Sequence, residues 1–208
     1  MPEKNHAITY SDKDYEILEY KKGFDGFSSI DIYMLRFRNY DGSWSDVIER
    51  EIHNRGSAVA VILYDSDKDR VVLVEQFRPA AAVAKRPPWQ LEIVAGMISG
   101  SDSTEIVARK EVREEAGCGK IELIPIYEYF PSPGASSDRT HLYCGLIDSD
   151  TLGGTHGIAE EGENTRVRIF DFLEVTDLLE QGRIENSTSI VAIQWLALNR
   201  HHLRNNIK

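Results

Sequence analysis

The sequence predicts an α/β protein in two parts, a small antiparallel β domain over residues 1–55 and a larger mixed domain over residues 56–208. Three observations carry this reading. Strand-like alternation dominates before Arg55-Gly56, whereas beyond it short apolar runs interleave with segments of helical period. The 208 residues are 41% hydrophobic and 28% charged, which is globular composition and enough chain for a sizeable core.

In the first part, residues 29–38 (SIDIYMLRFR) place Ile30, Ile32 and Met34 on one face and Tyr33, Leu35 and Phe37 on the other, a strand with both faces partly covered. The turn signal Tyr40-Asp41-Gly42 then leads into a second extended run at 47–53. The second part reads as strands at 58–64 and 71–76, a helix near 103–116, strands near 121–130, 141–148 and 165–171, and helices near 174–181 and 188–202. In the last helix Ile190, Ile193, Leu196, Ala197 and His201 recur at helical spacing behind the cap candidates Asn186 and Ser187. Fixed-period repeats are absent, and no glycine-rich turn of dinucleotide or P-loop type joins a strand to a helix.

With 24 Lys+Arg against 34 Asp+Glu, the net charge is −10 and argues against a nucleic-acid or anionic-membrane partner. The longest apolar run, residues 58–64, is far short of the roughly 20 residues that span a bilayer. The start, Met1 to His6, has neither the basic nor the apolar stretch of a secretory signal, and two cysteines make no disulfide framework. A cytoplasmic protein with reduced thiols is expected.

The chemistry concentrates in residues 95–118, AGMISGSDSTEIVARKEVREEAGC. Asp102 and Glu105 have capping-box spacing and Gly117 is a natural stop. At 100° per residue from Thr104, Glu111, Glu115 and Glu114 fall at about 340°, 20° and 280°, on the arc that also holds Val107, Ala108 and Val112. Arg109, Lys110 and Arg113 occupy the opposite arc. A solvated charged face is the ordinary reading of an acidic helix. Here the acids are segregated onto the inward stripe, where unpaired carboxylates are costly, and clustered carboxylates without Cys or His suit a hard ion such as Mg²⁺ or Mn²⁺.

The spacing Gly96, five residues, Asp102, seven residues, then Lys110-Glu111-Val112-Arg113-Glu114-Glu115-Ala116-Gly117-Cys118 resembles the Nudix box of hydrolases that cleave nucleoside diphosphates linked to another moiety. Asp102 stands where the family has Glu and Lys110 where it has Arg, so the brace between those positions loses the guanidinium fork. The resemblance extends over nearly the whole chain and lies nearest the bacterial ADP-ribose pyrophosphatases. Supporting segments are Arg50-Glu51 with Arg55-Gly56, Glu75-Gln76-Phe77-Arg78, Leu91-Glu92-Ile93-Val94-Ala95-Gly96-Met97, and Ser132-Pro133-Gly134. Pro133, 15 residues beyond Cys118, falls at that subfamily's marker proline, while Asp138 replaces its usual Glu.

That resemblance implies a Nudix α/β/α sandwich preceded by a small β domain exchanged across a homodimer, and Mg²⁺-dependent hydrolysis of ADP-ribose to AMP and ribose 5-phosphate. It implies several ions per site, with Mn²⁺ a substitute, held by Glu111, Glu115 and the Ala95 carbonyl, by Glu114 directly or through water, and by Glu163. Glu161, in the acidic loop 157–167, would be the base, with Glu160 the neighbour that takes the role if the loop is shifted by one. Substrate contacts would come from Phe27 as adenine clamp, Arg50, Glu51, Arg55, Arg78, Met97, Ser132, Gly134 and Asp138. The open alternatives are a pyrophosphatase for another nucleotide sugar, such as GDP-mannose or ADP-glucose, and a sensor module that binds a nucleotide without cleaving it. None of the six histidines shows metal-ligand spacing, and none is assigned a catalytic role.

Overall fold

The computed structural model describes residues 10–158, 160 and 162–206. The chain forms two compact units: Met1–Gly56 with Ser132–Asp138, and Ser57–Pro131 with Arg139–Lys208.

The first unit is a three-stranded antiparallel sheet of β1 (Tyr15–Asp25), β2 (Ser29–Phe37) and β3 (Ile48–Asn54), in that order. Register slips between Ile17 and Glu19 and between Lys22 and Phe24 mark bulges in β1. The central strand is half-buried, as its two-faced pattern predicts, but β1 is exposed almost throughout, with Tyr15, Ile17, Leu18, Tyr20 and Phe24 all open. The returning segment Ser132–Asp138 lies along β3: the His53 N–H donates to the Ala135 carbonyl at 2.8 Å, and His53 bridges Ser136 in parallel.

The second unit contains β4 (Ala58–Asp65), β5 (Arg70–Phe77), α1 (Pro79–Val83), β6 (Trp89–Glu92), β7 (Val94–Met97), α2 (Thr104–Ala116), β8 (Glu122–Tyr129), β9 (Thr140–Leu146), β10 (Thr155–His156), β11 (Thr165–Asp171), α3 (Phe172–Glu180) and α4 (Ser187–Asn206). Its sheet runs β10-β11-β5-β4-β9-β8, with β6 on β5 and β7 on β4. Among the described residues of this sheet only β4 and β9 pair in parallel, which explains the missing βαβ rhythm. A continuous apolar run such as β4 needs cover on both faces, and it has it. Val59, Val61 and Leu63 pack with Val107, Ala108 and Val112 of α2, while Ala60, Ile62 and Tyr64 pack with Val175 of α3 and Ala192, Ile193 and Leu196 of α4. At roughly 1.5–3 kcal/mol for each large side chain withdrawn from water, these two layers fix the sheet that presents the site.

The start of α2 corrects one expectation. Ser103, not Asp102, is the N-cap, its hydroxyl accepting the Ile106 N–H at 3.4 Å. Gly117 ends the helix as expected, at φ 67°, with its N–H on the Arg113 carbonyl and the Cys118 N–H on the Val112 carbonyl. Among the described residues no helix is long and apolar enough to cross a membrane.

Candidate active site

The inward stripe of α2 carries its charge into the core as the helical arithmetic requires. Glu115 is 3% exposed beside buried Val107, Ala108, Val112 and Ala116, whereas Arg109, Lys110 and Arg113 are open to solvent. One Glu115 oxygen accepts the Ala95 N–H at 3.1 Å, which ties the helix to β7. Next to it, Glu111 lies against Gly96 so closely that a Cβ there would stand 2.0 Å from the Glu111 carboxyl carbon. Glycine at 96 is therefore a steric requirement of the carboxylate's position.

For Glu115, the surrounding donors do not offset the burial. Burial pushes the Glu115 carboxyl up to about 8; the Ala95 N–H and the Arg78 charge oppose this, while Glu111 and Glu163 add to it. Glu163 itself accepts the Ile158 N–H at 3.1 Å, in the loop after β10, and Glu114 faces Lys110 at 3.5 Å along the helix surface. Among the described residues no three His, Cys, Asp or Glu side chains are drawn tightly enough together to hold an ion unaided. What α2 and β7 supply is the buried carboxylate of Glu115 beside the half-buried one of Glu111, with a third carboxylate in electrostatic reach, a donor set of hard oxygens that a divalent cation would neutralise.

A NUDIX domain matches residues 54–201. The chain belongs to the Nudix family. Curated Nudix relatives include the ADP-ribose pyrophosphatase of Escherichia coli (strain K12), 39% identical over 97% of this chain and 96% of its own length. The ADP-ribose pyrophosphatase of Haemophilus influenzae is 36% identical over 96% of this chain and 93% of its own. The GDP-mannose pyrophosphatase of Cronobacter sakazakii is 32% identical over 84% and 93%. A solved structure described as an ADP compounds hydrolase shares the fold, with TM-score 0.64 and 18% identity over 92% of this chain and 98% of that one.

The remaining candidates divide between the two units of this Nudix chain. Arg78 and Met97 belong to the unit that carries α2, Arg78 at the N-cap of α1 and Met97 at the end of β7. Phe27, Arg50, Glu51, Arg55, Ser132, Gly134 and Asp138 all belong to the other. Phe27 tops the β1–β2 turn at 98% exposure, so it is no core residue of a single chain. Arg50 and Glu51 lie on β3, where Arg50 donates to the Glu49 carbonyl at 2.8 Å. Ser132 and Gly134 sit in a turn closed by bonds from Ala135 and Ser136 to the Ser132 carbonyl. Asp138 is buried and receives both the Arg55 backbone N–H at 3.2 Å and the Arg55 Nε at 3.0 Å, bringing together two candidates 83 positions apart. Glu161 lies outside the described residues, next to Glu160, which is exposed.

In the sequence Glu92 stands only within a motif segment, yet it is the buried partner of Arg78, contacting it at 2.7 Å through Nε and 2.6 Å through Nη2. No local pattern reveals this, because its other partners come from β5 and from the cap of α4.

Proposed function

We propose that this Nudix chain hydrolyses the diphosphate of ADP-ribose to AMP and ribose 5-phosphate in an Mg²⁺-dependent reaction, with Mn²⁺ as a substitute. The observation that carries the reading is the buried Glu115 carboxylate on the Ala95 N–H beside the half-buried Glu111 that lies against Gly96; the extended similarity to proteins named ADP-ribose pyrophosphatase supports the substrate. Glu111, Glu115 and the Ala95 carbonyl would hold the metal ions, with Glu163 and Glu114 as further or water-bridged ligands. Bound Mg²⁺ would supply charge neutralisation at the diphosphate oxygens and lower the pKa of an attacking water.

The chain's own residues do the rest. Glu161 accepts the proton of the attacking water, a role that depends on its placement more than on an unusual acidity. Arg78 and Arg55 offer fixed positive charge to the phosphates or the terminal ribose, with Arg50, Glu51, Met97, Ser132, Gly134 and Asp138 completing the substrate's surroundings. Phe27 stacks on the adenine from a second copy of the chain: its exposure, and the open apolar row Tyr15, Ile17, Leu18, Tyr20 and Phe24 on β1, support a homodimer in which residues 1–55 are exchanged.

The test is product analysis with Mg²⁺ across ADP-ribose, ADP-glucose and GDP-mannose, with Glu161→Gln as control. Release of AMP and ribose 5-phosphate from ADP-ribose in preference to the others, lost in the control, is the expected result. Preference for GDP-mannose would shift the substrate to that of the Cronobacter relative, and binding without turnover would mark a sensor.

A further inference from the structure

The segment after β10 is attached to the end of α2 at two points that the chemistry described above does not use. A helix ends in carbonyls that need donors from elsewhere. In α2 the Gly117 and Cys118 N–H groups take the Arg113 and Val112 carbonyls, and the Glu114 carbonyl is taken from outside the helix by the Gly157 N–H at 3.0 Å. One residue earlier, the half-buried imidazole of His156 lies against Gly117: a Cβ at 117 would stand 2.5 Å from His156 Cε1, with Nε2 and Nδ1 at 3.1 and 3.2 Å. Glycine is required at 117 both by its φ of 67° and by this ring.

The ring is itself held. Its Nε2 stands 2.7 Å from the Gly153 carbonyl, and because a carbonyl only accepts, Nε2 carries a proton. The backbone of His156 pairs with Thr165 across the β10–β11 ladder and that of Thr155 with Arg166, while the Val167 N–H donates to the Gly154 carbonyl at 3.0 Å. The loop after His156 therefore leaves and rejoins the sheet at one place. Just beyond the ladder the Glu163 N–H donates to the Ile158 carbonyl and the Ile158 N–H to the Glu163 carboxylate, both at 3.1 Å. Gly157, at φ 103°, has no room for a side chain, since a Cβ would stand 2.8 Å from Glu163 Cβ. The foot of the loop is a closed turn that contains Glu163, and His156 and Gly157 set its place against α2.

We propose that His156, seated on Gly117 and held by the Gly153 carbonyl, is a positioning residue that sets the loop 157–167 against the C-terminal end of α2, so that the acids of loop and helix meet one diphosphate in a fixed arrangement. This role rests on the function proposed above, in which both sets of acids serve. It works through geometry and involves no proton transfer by the imidazole. A displaced loop slows hydrolysis, because catalysis falls steeply with a misplacement of about 1 Å, while substrate contacts on other segments keep their hold. Ring and glycine act as one unit, so loss of either removes what the other contributes.

The experiment is steady-state hydrolysis of ADP-ribose by the full-length protein at saturating Mg²⁺, in wild type, His156→Ala, Gly117→Ala and the double variant, with hydrogen exchange at the Gly157 amide on the same proteins. His156→Ala should lower kcat about thirtyfold with KM within about twofold, and the Gly157 amide should exchange about tenfold faster while amides in the middle of α2 keep their protection. Gly117→Ala, whose methyl displaces the ring, should lower kcat by a similar factor, and the double variant should be no slower than the slower single one. Native kcat in His156→Ala, a change confined to KM, or losses that multiply in the double variant would overturn the proposal while leaving the ADP-ribose reading intact. A wild-type protein that leaves ADP-ribose uncleaved would overturn that reading and this role with it. If His156→Ala fails to fold, Gly117→Ala decides: lower kcat with faster exchange at Gly157 supports the proposal, and native kcat overturns it.

Discussion

Two carboxylates of the larger unit, Asp65 at the end of β4 and Glu115 in α2, are almost equally buried, at 2% and 3% exposure, and behave in opposite ways. Burial pushes both up. Asp65 nevertheless sits at about 2, because Ser149 donates through its N–H and hydroxyl at 2.9 and 2.7 Å and Lys68 through its N–H and ammonium at 3.0 and 3.3 Å. Among the described residues Glu115 has the Ala95 N–H and the Arg78 charge in its favour, against burial and two like-charged neighbours, and is pushed up to about 8. A carboxylate that serves the fold is surrounded by donors, whereas one left short of donors among other acids has a place for something else.

The largest expected effect breaks the site itself. Glu111→Gln or Glu115→Gln should lower turnover of ADP-ribose by about a thousandfold or more, since each removes a charged oxygen ligand for the metal. Steady-state kinetics at saturating Mg²⁺ measures this, and a variant with near-native turnover would end the metal assignment. On the other side of the comparison, Asp65→Asn should cost about 2–3 kcal/mol of stability, read by denaturant unfolding, because it leaves Ser149 and Lys68 donors facing an amide. The Asp65 contribution is present above the unfolded pKa near 4 and disappears as pH falls through about 2.

Gly96→Ala sharpens the geometry. The new Cβ would meet the far end of the Glu111 side chain rather than backbone, so the fold should survive while Glu111 is displaced. About a tenfold loss of Mn²⁺ affinity with little change in unfolding temperature is expected. The smallest effect is in pH: because burial pushes the Glu115 carboxyl up to about 8, Mn²⁺ binding should weaken by up to about tenfold per unit as pH falls below that value, as proton and metal compete.

What the sequence made legible follows from how local each signal is. β4 was readable because a continuous apolar run needs only itself, and the inward face of α2 because 100° per residue is a local rule. Its cap was misplaced by one residue because Asp102 and Ser103 are both good cap formers and only backbone geometry chooses between them. β6 and β7 escaped notice as strands of four residues each, separated by Ile93, and β1 because its bulges interrupt the alternation. The Nudix spacing singles out Glu111 and Glu115 because it lies within one short stretch of sequence. The Arg55–Asp138 pair and the anchoring of Glu92 were silent as contacts, because their partners are separated by 83 positions in one case and up to 94 in the other.

The central claim is that the groups around Glu115 fall short of offsetting its burial and so leave a place for a divalent ion, and thermal unfolding at about pH 9 tests it most directly, in wild type and Glu115→Gln, each with and without Mn²⁺. A carboxyl whose folded pKa is raised loses stability as pH climbs from its unfolded value near 4.5 through about 8, so at that pH the metal-free wild type bears the full cost of the buried charge. The account predicts that Glu115→Gln unfolds at a higher temperature than wild type without Mn²⁺, and that Mn²⁺ raises the unfolding temperature of wild type alone. A metal-free Glu115→Gln less stable than wild type, or Mn²⁺ stabilising both proteins equally, would contradict it.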